Sequence, residues 1–235
     1  SMERKYGWIK SKEDTRDHIV AFNSLQSNYP KTFDMRAKMP PIQDQGNLGS
    51  CTAHGIGALV QYKHRFNPSR LFIYYNERVL EDTIKCDCGA TIRNGIKSIS
   101  KVGVCEEKYW DYKIGKFAKK PPIEAYNNAQ KNLIESYRRV NQTESGLKYI
   151  LSQGFPIVFG FIVKESFENI GKDGLYKPTR WEDTLGGHCV TIVGYNETHF
   201  ICRNSYGEKW GAKGYFLMPF SEILNQNIAS DFWII

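Results

Sequence analysis

A glycine turn, QGNLGS at residues 45–50, runs straight into CTAHGIGALVQYKHRF at 51–66, where small and apolar residues recur at helical spacing. Any fold for this chain has to start a helix at Cys51, with Ser50 available as its cap. A thiol placed there sits at the positive end of the helix dipole. That is one of two devices that lower a cysteine pKa, the other being a neighbouring imidazolium.

Two further helical stretches follow, LFIYYNERVLED near 71–82 and TIRNGIKSISKV near 91–102. From about Glu135 the text changes to strand-like runs, ESYRRV, FPIVFGFIV, HCVTIVGY, HFICRNSY and GYFLMPF, separated by Gly, Asn and Asp turns. One short helix, ESGLKYILSQG near 144–154, intervenes and is closed by Gly154 and Pro156. A helical half followed by a β half predicts an α+β protein with its site between two lobes. Residues 1–29 are polar and mixed in charge, and the main body is expected to begin near Tyr29, where YPKTFDMRAKMPP turns extended.

The formal net charge of +7 favours acidic partners, but Lys and Arg are scattered and locally balanced. With no basic run carrying interleaved aromatics, nucleic-acid binding is not expected. No apolar run approaches twenty residues, so no membrane span or signal segment is expected within this chain. Localisation stays open between the cytosol, a lysosome-like compartment and a virion. Of the six cysteines, Cys189 and Cys202 lie inside apolar runs and read as small buried hydrophobes. Cys86, Cys88 and Cys105 are compatible with one disulfide, a zinc site or plain thiols. His54, three residues after Cys51, has a spacing seen in metal sites, but the other ligands are missing; it reads as a polar residue near the cleft.

In GGHCVTIVGY, His188 heads an apolar strand, and in FICRNSYG, Asn204 closes the next one. Adjacent strands can bring these side chains together, and an Asn amide accepting from one ring nitrogen fixes a histidine as a base. Gln45, on the turn into the Cys51 helix, can join the Cys51 N–H as donor to a tetrahedral oxyanion.

Taken together, QGNLGSC, GGHCV, RNSYGEKWGAKGYF and the helix FIYYNERVLE resemble the papain and cathepsin family of cysteine peptidases, in order from about Pro30 to Ile235. His188 and Asn204 stand behind Cys51 at or just past the family's spacing of about 130–150 residues. The resemblance implies a papain-like two-lobe α+β fold. The helical lobe is expected over about 45–134 and a β-barrel-like lobe over about 30–44 and 135–235. It also implies that Cys51 attacks, His188 shuttles the proton, Asn204 orients the ring and Gln45 helps form the oxyanion hole. Gly89, beside Ala90, would pair its backbone with an extended substrate, with the Gly187 carbonyl on the opposite wall. Trp210 would flank the leaving-group side, and Ser230 would fall near the floor of the pocket for the second residue before the cut.

Departures accompany the matches. Leu48 stands where the family usually has a cysteine, Thr52 where it has an aromatic, Tyr206 where it has tryptophan and Ala90 where it has a second glycine. The resemblance is nearest to divergent members of the viral, bacterial and protist kind. Nothing between Gly89 and Pro121 resembles the cleft-blocking insertion of cathepsin B-type enzymes, so a cysteine endopeptidase working through a thioester is expected. Its partners would be protein or peptide substrates, with no cofactor and no metal, and it would act as a monomer. Two rivals are a Cys-His-Asn acyltransferase and a catalytically silent binding protein on the same scaffold. The extension 1–29 is expected either to pack on the β lobe or to lie across the cleft as an inhibitory, zymogen-like remnant.

Overall fold

The computed structural model describes residues 3–20 and 28–235; residues 1, 2 and 21–27 of the extension lie outside the described residues. The helices are α1 (Cys51–His64), α2 (Arg70–Glu81), α3 (Ile92–Lys101), α4 (Ile123–Ala129), α5 (Glu144–Ser152) and α6 (Phe220–Ile223). The strands are β1 (Phe33–Asp34), β2 (Arg138–Arg139), β3 (Ile157–Lys164), β4 (Thr184–Tyr195), β5 (His199–Arg203), β6 (Tyr215–Pro219) and β7 (Ala229–Ile234).

Local chemistry accounts for most of these boundaries. Ser69, Thr91 and Thr143 cap α2, α3 and α5 by accepting from the N–H groups of Phe72, Asn94 and Gly146. Ser50 does not cap α1 as expected; its hydroxyl is engaged elsewhere, with Tyr112 and His54. The first ten residues of α1 are all buried, so this helix runs through the interior with no solvent face in that stretch.

The strands form one antiparallel sheet in the order β2-β7-β3-β4-β5-β6, with β1 pairing at the far end of β4. The sheet is open, which corrects the expected barrel-like closure: β2 and β6 stand at opposite ends and do not pair. Strand β3 shows why the sheet organises two cores. Its residues alternate sides, with Ile157, Phe159, Phe161 and Val163 in the β-side core and Val158 in the core around α1. Both faces are covered, so its sequence reads as a continuous apolar run. Cys189 and Trp233 also belong to the helical-side core, so the sheet and α1 share one packed interior.

Cys86 and Cys88 form a disulfide, while Cys51, Cys105, Cys189 and Cys202 are free and buried. Among the described residues no group of three or more His, Cys, Asp or Glu side chains is placed to hold a metal.

Candidate active site

Three elements converge on the site. Helix α1 places Cys51 at its first position, fully buried. Strand β4 carries His188, opposite Phe161 of β3, and Asn204 follows directly on β5, whose last residue Arg203 pairs with Thr191. This register puts the two side chains on one side of the sheet, and His188 Nε2 lies 2.8 Å from Asn204 Oδ1. The amide oxygen can only accept, so Nε2 carries the proton. His188 Nδ1 has no hydrogen-bond partner among the described residues, so no bond joins it to Cys51 in this state. Tyr206 stacks on the imidazole at 5.0 Å and 30°, and Phe161 and Phe167 meet it edge-on, so aromatic rings screen the His188–Asn204 bond from water.

Gln45 is held from several directions. Its N–H donates to the Ser205 carbonyl at 2.9 Å, its Oε1 accepts from Ser205 Oγ at 2.6 Å, and its Nε2 donates to the Leu48 carbonyl at 2.9 Å. Thr52, one of the departures, donates to the buried carboxyl of Glu77 at 2.6 Å. Asp87 ties the Cys51 turn to the opposite loop, accepting from Gly49 N–H at 2.9 Å and from the Tyr74 hydroxyl at 2.5 Å.

The extension lies across the cleft. Trp8 N–H donates to the Gly187 carbonyl on one wall at 3.1 Å; on the other wall Ala90 N–H donates to Gly7 and the Ala90 carbonyl accepts from Ile9, at 2.8 and 3.0 Å. The strand-like pairing on that wall therefore comes from Ala90. Gly89, expected in that role, gives its N–H to the Tyr74 hydroxyl. Gly7 is pressed against the Cys51 turn so closely that a Cβ there would sit 2.0 Å from the Gly49 carbonyl oxygen. Upstream, Arg4 pairs with Asp44 at 2.7 Å and lies over the Tyr206 ring, Lys5 pairs with Asp87 at 2.9 Å, and the Tyr6 hydroxyl donates to Glu168 at 2.5 Å. Downstream, Asp17 is clasped by Arg93 of α3 and, at 2.9 Å, by Arg139 of β2.

Trp8 fills a pocket beside β3, where a Cβ on Gly160 would be 1.9 Å from the indole. Its Nε1–H donates to Asp231 Oδ2 at 3.2 Å, and Ser11 N–H reaches the same oxygen at 2.9 Å. The polar group that meets the pocket's occupant is thus Asp231; Ser230 Oγ, expected there, has no partner among the described residues. Trp210 is half-buried and packs edge-on against Tyr206 at 5.6 Å.

Burial dominates the electrostatics of this covered state. It pushes the Cys51 thiol up to about 12, opposed by the N–H groups of Cys189 and Gly7 at the sulfur. It lowers His188 to about 4, opposed by the bond to Asn204. In both groups burial therefore acts against the charged form. The sequence reading, which rested on the helix dipole and the imidazolium, missed Trp8, Asp231 and Asp87; a Gly-Trp step inside an otherwise polar extension was the one available signal for the first.

A family model described as papain family cysteine protease matches residues 29–233. An uncharacterized peptidase C1-like protein of Acanthamoeba polyphaga mimivirus is 44% identical, covering 100% of this chain and 88% of that protein. The crystal structure of xylellain, a cysteine protease from Xylella fastidiosa, superposes with a TM-score of 0.93 at 38% identity over 99% of this chain and 97% of that one. Cysteine proteinase 3 of Entamoeba histolytica is 29% identical over 80% of this chain, which spans 62% of that longer protein.

Proposed function

This chain belongs to the papain family of cysteine proteases and is a papain-like cysteine peptidase; on that premise we propose that it is an endopeptidase whose Cys51, His188, Asn204 and Gln45 carry the chemistry and whose residues 4–9 hold it inactive. In this reading residues 30–235 form the peptidase domain and 1–29 its inhibitory extension. The observation that carries it is the 2.8 Å bond from His188 Nε2 to Asn204, which leaves Nδ1 as the basic nitrogen beside the helix that starts at Cys51.

The steps follow from those atoms. Cys51 Sγ attacks the substrate carbonyl carbon as its proton passes to His188 Nδ1. The oxyanion is met by the Gln45 side-chain amide and the Cys51 main-chain N–H. The tetrahedral species collapses to a thioester as His188 protonates the leaving amine. Water then attacks the thioester with His188 as base, releasing the acid and restoring the thiol.

The covering segment is a poor substrate by its own geometry. Its Gly7 carbonyl is taken up by the Ala90 N–H at 2.8 Å. Readings as an acyltransferase or a silent binding protein gain nothing from the family match. Mass spectrometry after incubation with a peptidyl epoxide tests the proposal. The full chain should label slowly, a Trp8→Ala chain quickly and on Cys51 alone, and Cys51→Ala not at all. Rapid labelling of the full chain would remove the inhibitory half of the reading, and no labelling of Cys51 in either chain would remove the catalytic half.

A further inference from the structure

Gln45 and the peptide that carries the Cys51 N–H are joined by a hydrogen-bond chain outside the catalytic set. Tyr112 donates its hydroxyl to the Gln45 main-chain carbonyl at 2.7 Å. The same oxygen lies 2.7 Å from Ser50 Oγ. A phenol has one proton, already given to Gln45, so the serine is the donor in that second bond. One turn along α1, His54 Nδ1 lies 3.1 Å from the Ser50 carbonyl and 3.3 Å from Ser50 Oγ. Both oxygens are acceptors towards it, so Nδ1 carries the proton, and burial keeps His54 neutral with a pKa near 3.

The chain therefore runs in one direction, from His54 to Ser50 to Tyr112 to Gln45. Ser50 is bonded to Cys51, so the relay spans the two donors of the oxyanion site. Ser205 grips the other side of Gln45 through the two bonds described above. The Tyr112 ring is also seated, meeting His54 edge-on at 5.1 Å and 86°.

We infer that Tyr112 is a positioning residue for the oxyanion site, its hydroxyl setting the separation between Gln45 and the main chain at Cys51. The inference rests on the peptidase reading. Donors stabilise an oxyanion only when held at about 2.7–3.1 Å from where it forms. A displacement of about 1 Å can cost on the order of a hundredfold in rate.

The test uses the full chain carrying Trp8→Ala as parent, with Tyr112→Phe added; the substitution keeps the ring against His54 and removes only the hydroxyl. Two reactions are compared. Peptide hydrolysis passes through an oxyanion, whereas alkylation of Cys51 by iodoacetamide displaces iodide at a saturated carbon and forms none. Tyr112→Phe should lower kcat about ten- to a hundredfold, with KM and the alkylation rate within about twofold of the parent. Ser50→Ala, which removes the donor into Tyr112 but leaves the bond to Gln45, should give a smaller loss in the same direction. An unchanged kcat in Tyr112→Phe overturns the inference. So does a matching fall in alkylation, which would assign the hydroxyl to the thiol or the fold at large. A parent that alkylates on Cys51 and hydrolyses no peptide sinks the peptidase reading, and this inference with it.

Discussion

The indole of Trp8 donates to the carboxylate of Asp231 at 3.2 Å, so the chain supplies both the pocket and the side chain that fills it. Trp8 is only 8% exposed and its main chain bonds Gly187 at the same time. Packing and backbone pairing therefore hold the segment together.

Trp8→Ala should loosen the segment at its largest contact. Truncating a buried tryptophan costs about 3–5 kcal/mol, and here much of that cost falls on the covered state. Turnover of a fluorogenic peptide should rise at least about tenfold, since 1.4 kcal/mol is already a factor of ten, and thermal melting should move down. Equal turnover in the two chains would show that residues 4–9 are no barrier to substrate.

The pH profile of Cys51 alkylation should separate the covered and open states. Burial raises the thiol towards about 12 and lowers His188 to about 4, so in the full chain thiolate gains only at strongly alkaline pH. Readmitted water and the helix dipole favour the charged pair, so the profile of Trp8→Ala should move to lower pH. Superimposable profiles would mean that the segment does not control the ionisation.

Asp17 bridges Arg93 and Arg139 with its side chain only 10% exposed. Asp17→Asn keeps the size and removes the charge. The expected loss lies between that of an exposed pair, about 1 kcal/mol, and that of a buried one, about 3–5 kcal/mol. Inhibition by the extension should weaken together with the melting temperature. A lower melting temperature with inhibition intact would make the clasp a stability element only.

Glu77 is buried behind Cys51, with Thr52 as the partner of one oxygen and none for the other among the described residues. Burial raises it well above the usual carboxylate range. The folded protein thus keeps a proton that the unfolded chain releases above about 4.3. Its stability contribution is full below that pH and is lost as pH rises towards the folded pKa. Glu77→Gln should melt higher than the parent at pH 7 and alike near pH 4. A gain of the same size at both pH values would point to packing instead of ionisation.

Much of the architecture was legible because it is local. The helix that starts at Cys51, those near 71–82 and 91–102, and the strands around His188 and Asn204 are written in turn residues and apolar periodicity, each read within a dozen residues. The last strand, β7, went unrecognised because ASDFWI places Asp231 inside the run, where its carboxylate finds partners only across the fold, in Trp8 and Ser11 of the docked extension and in Arg139 of β2 at 4.0 Å. The open edges of the sheet were equally hidden, since closure depends on which strands pair across long stretches of chain.

The order of Gln45, Cys51, His188 and Asn204 along the chain, and the element that carries each, followed from residue chemistry and spacing alone. Tertiary structure decided the rest: that residues 4–9 occupy the cleft, that of the expected pair Gly89-Ala90 it is Ala90 whose main chain pairs with the occupant, that Asp231 meets the Trp8 indole beside the expected Ser230, and that Tyr112 reaches Gln45. Covalent neighbours and periodicity constrain a side chain within a turn or two. Which groups meet across dozens of residues, and whether water reaches a thiol, depend on packing that no local pattern records.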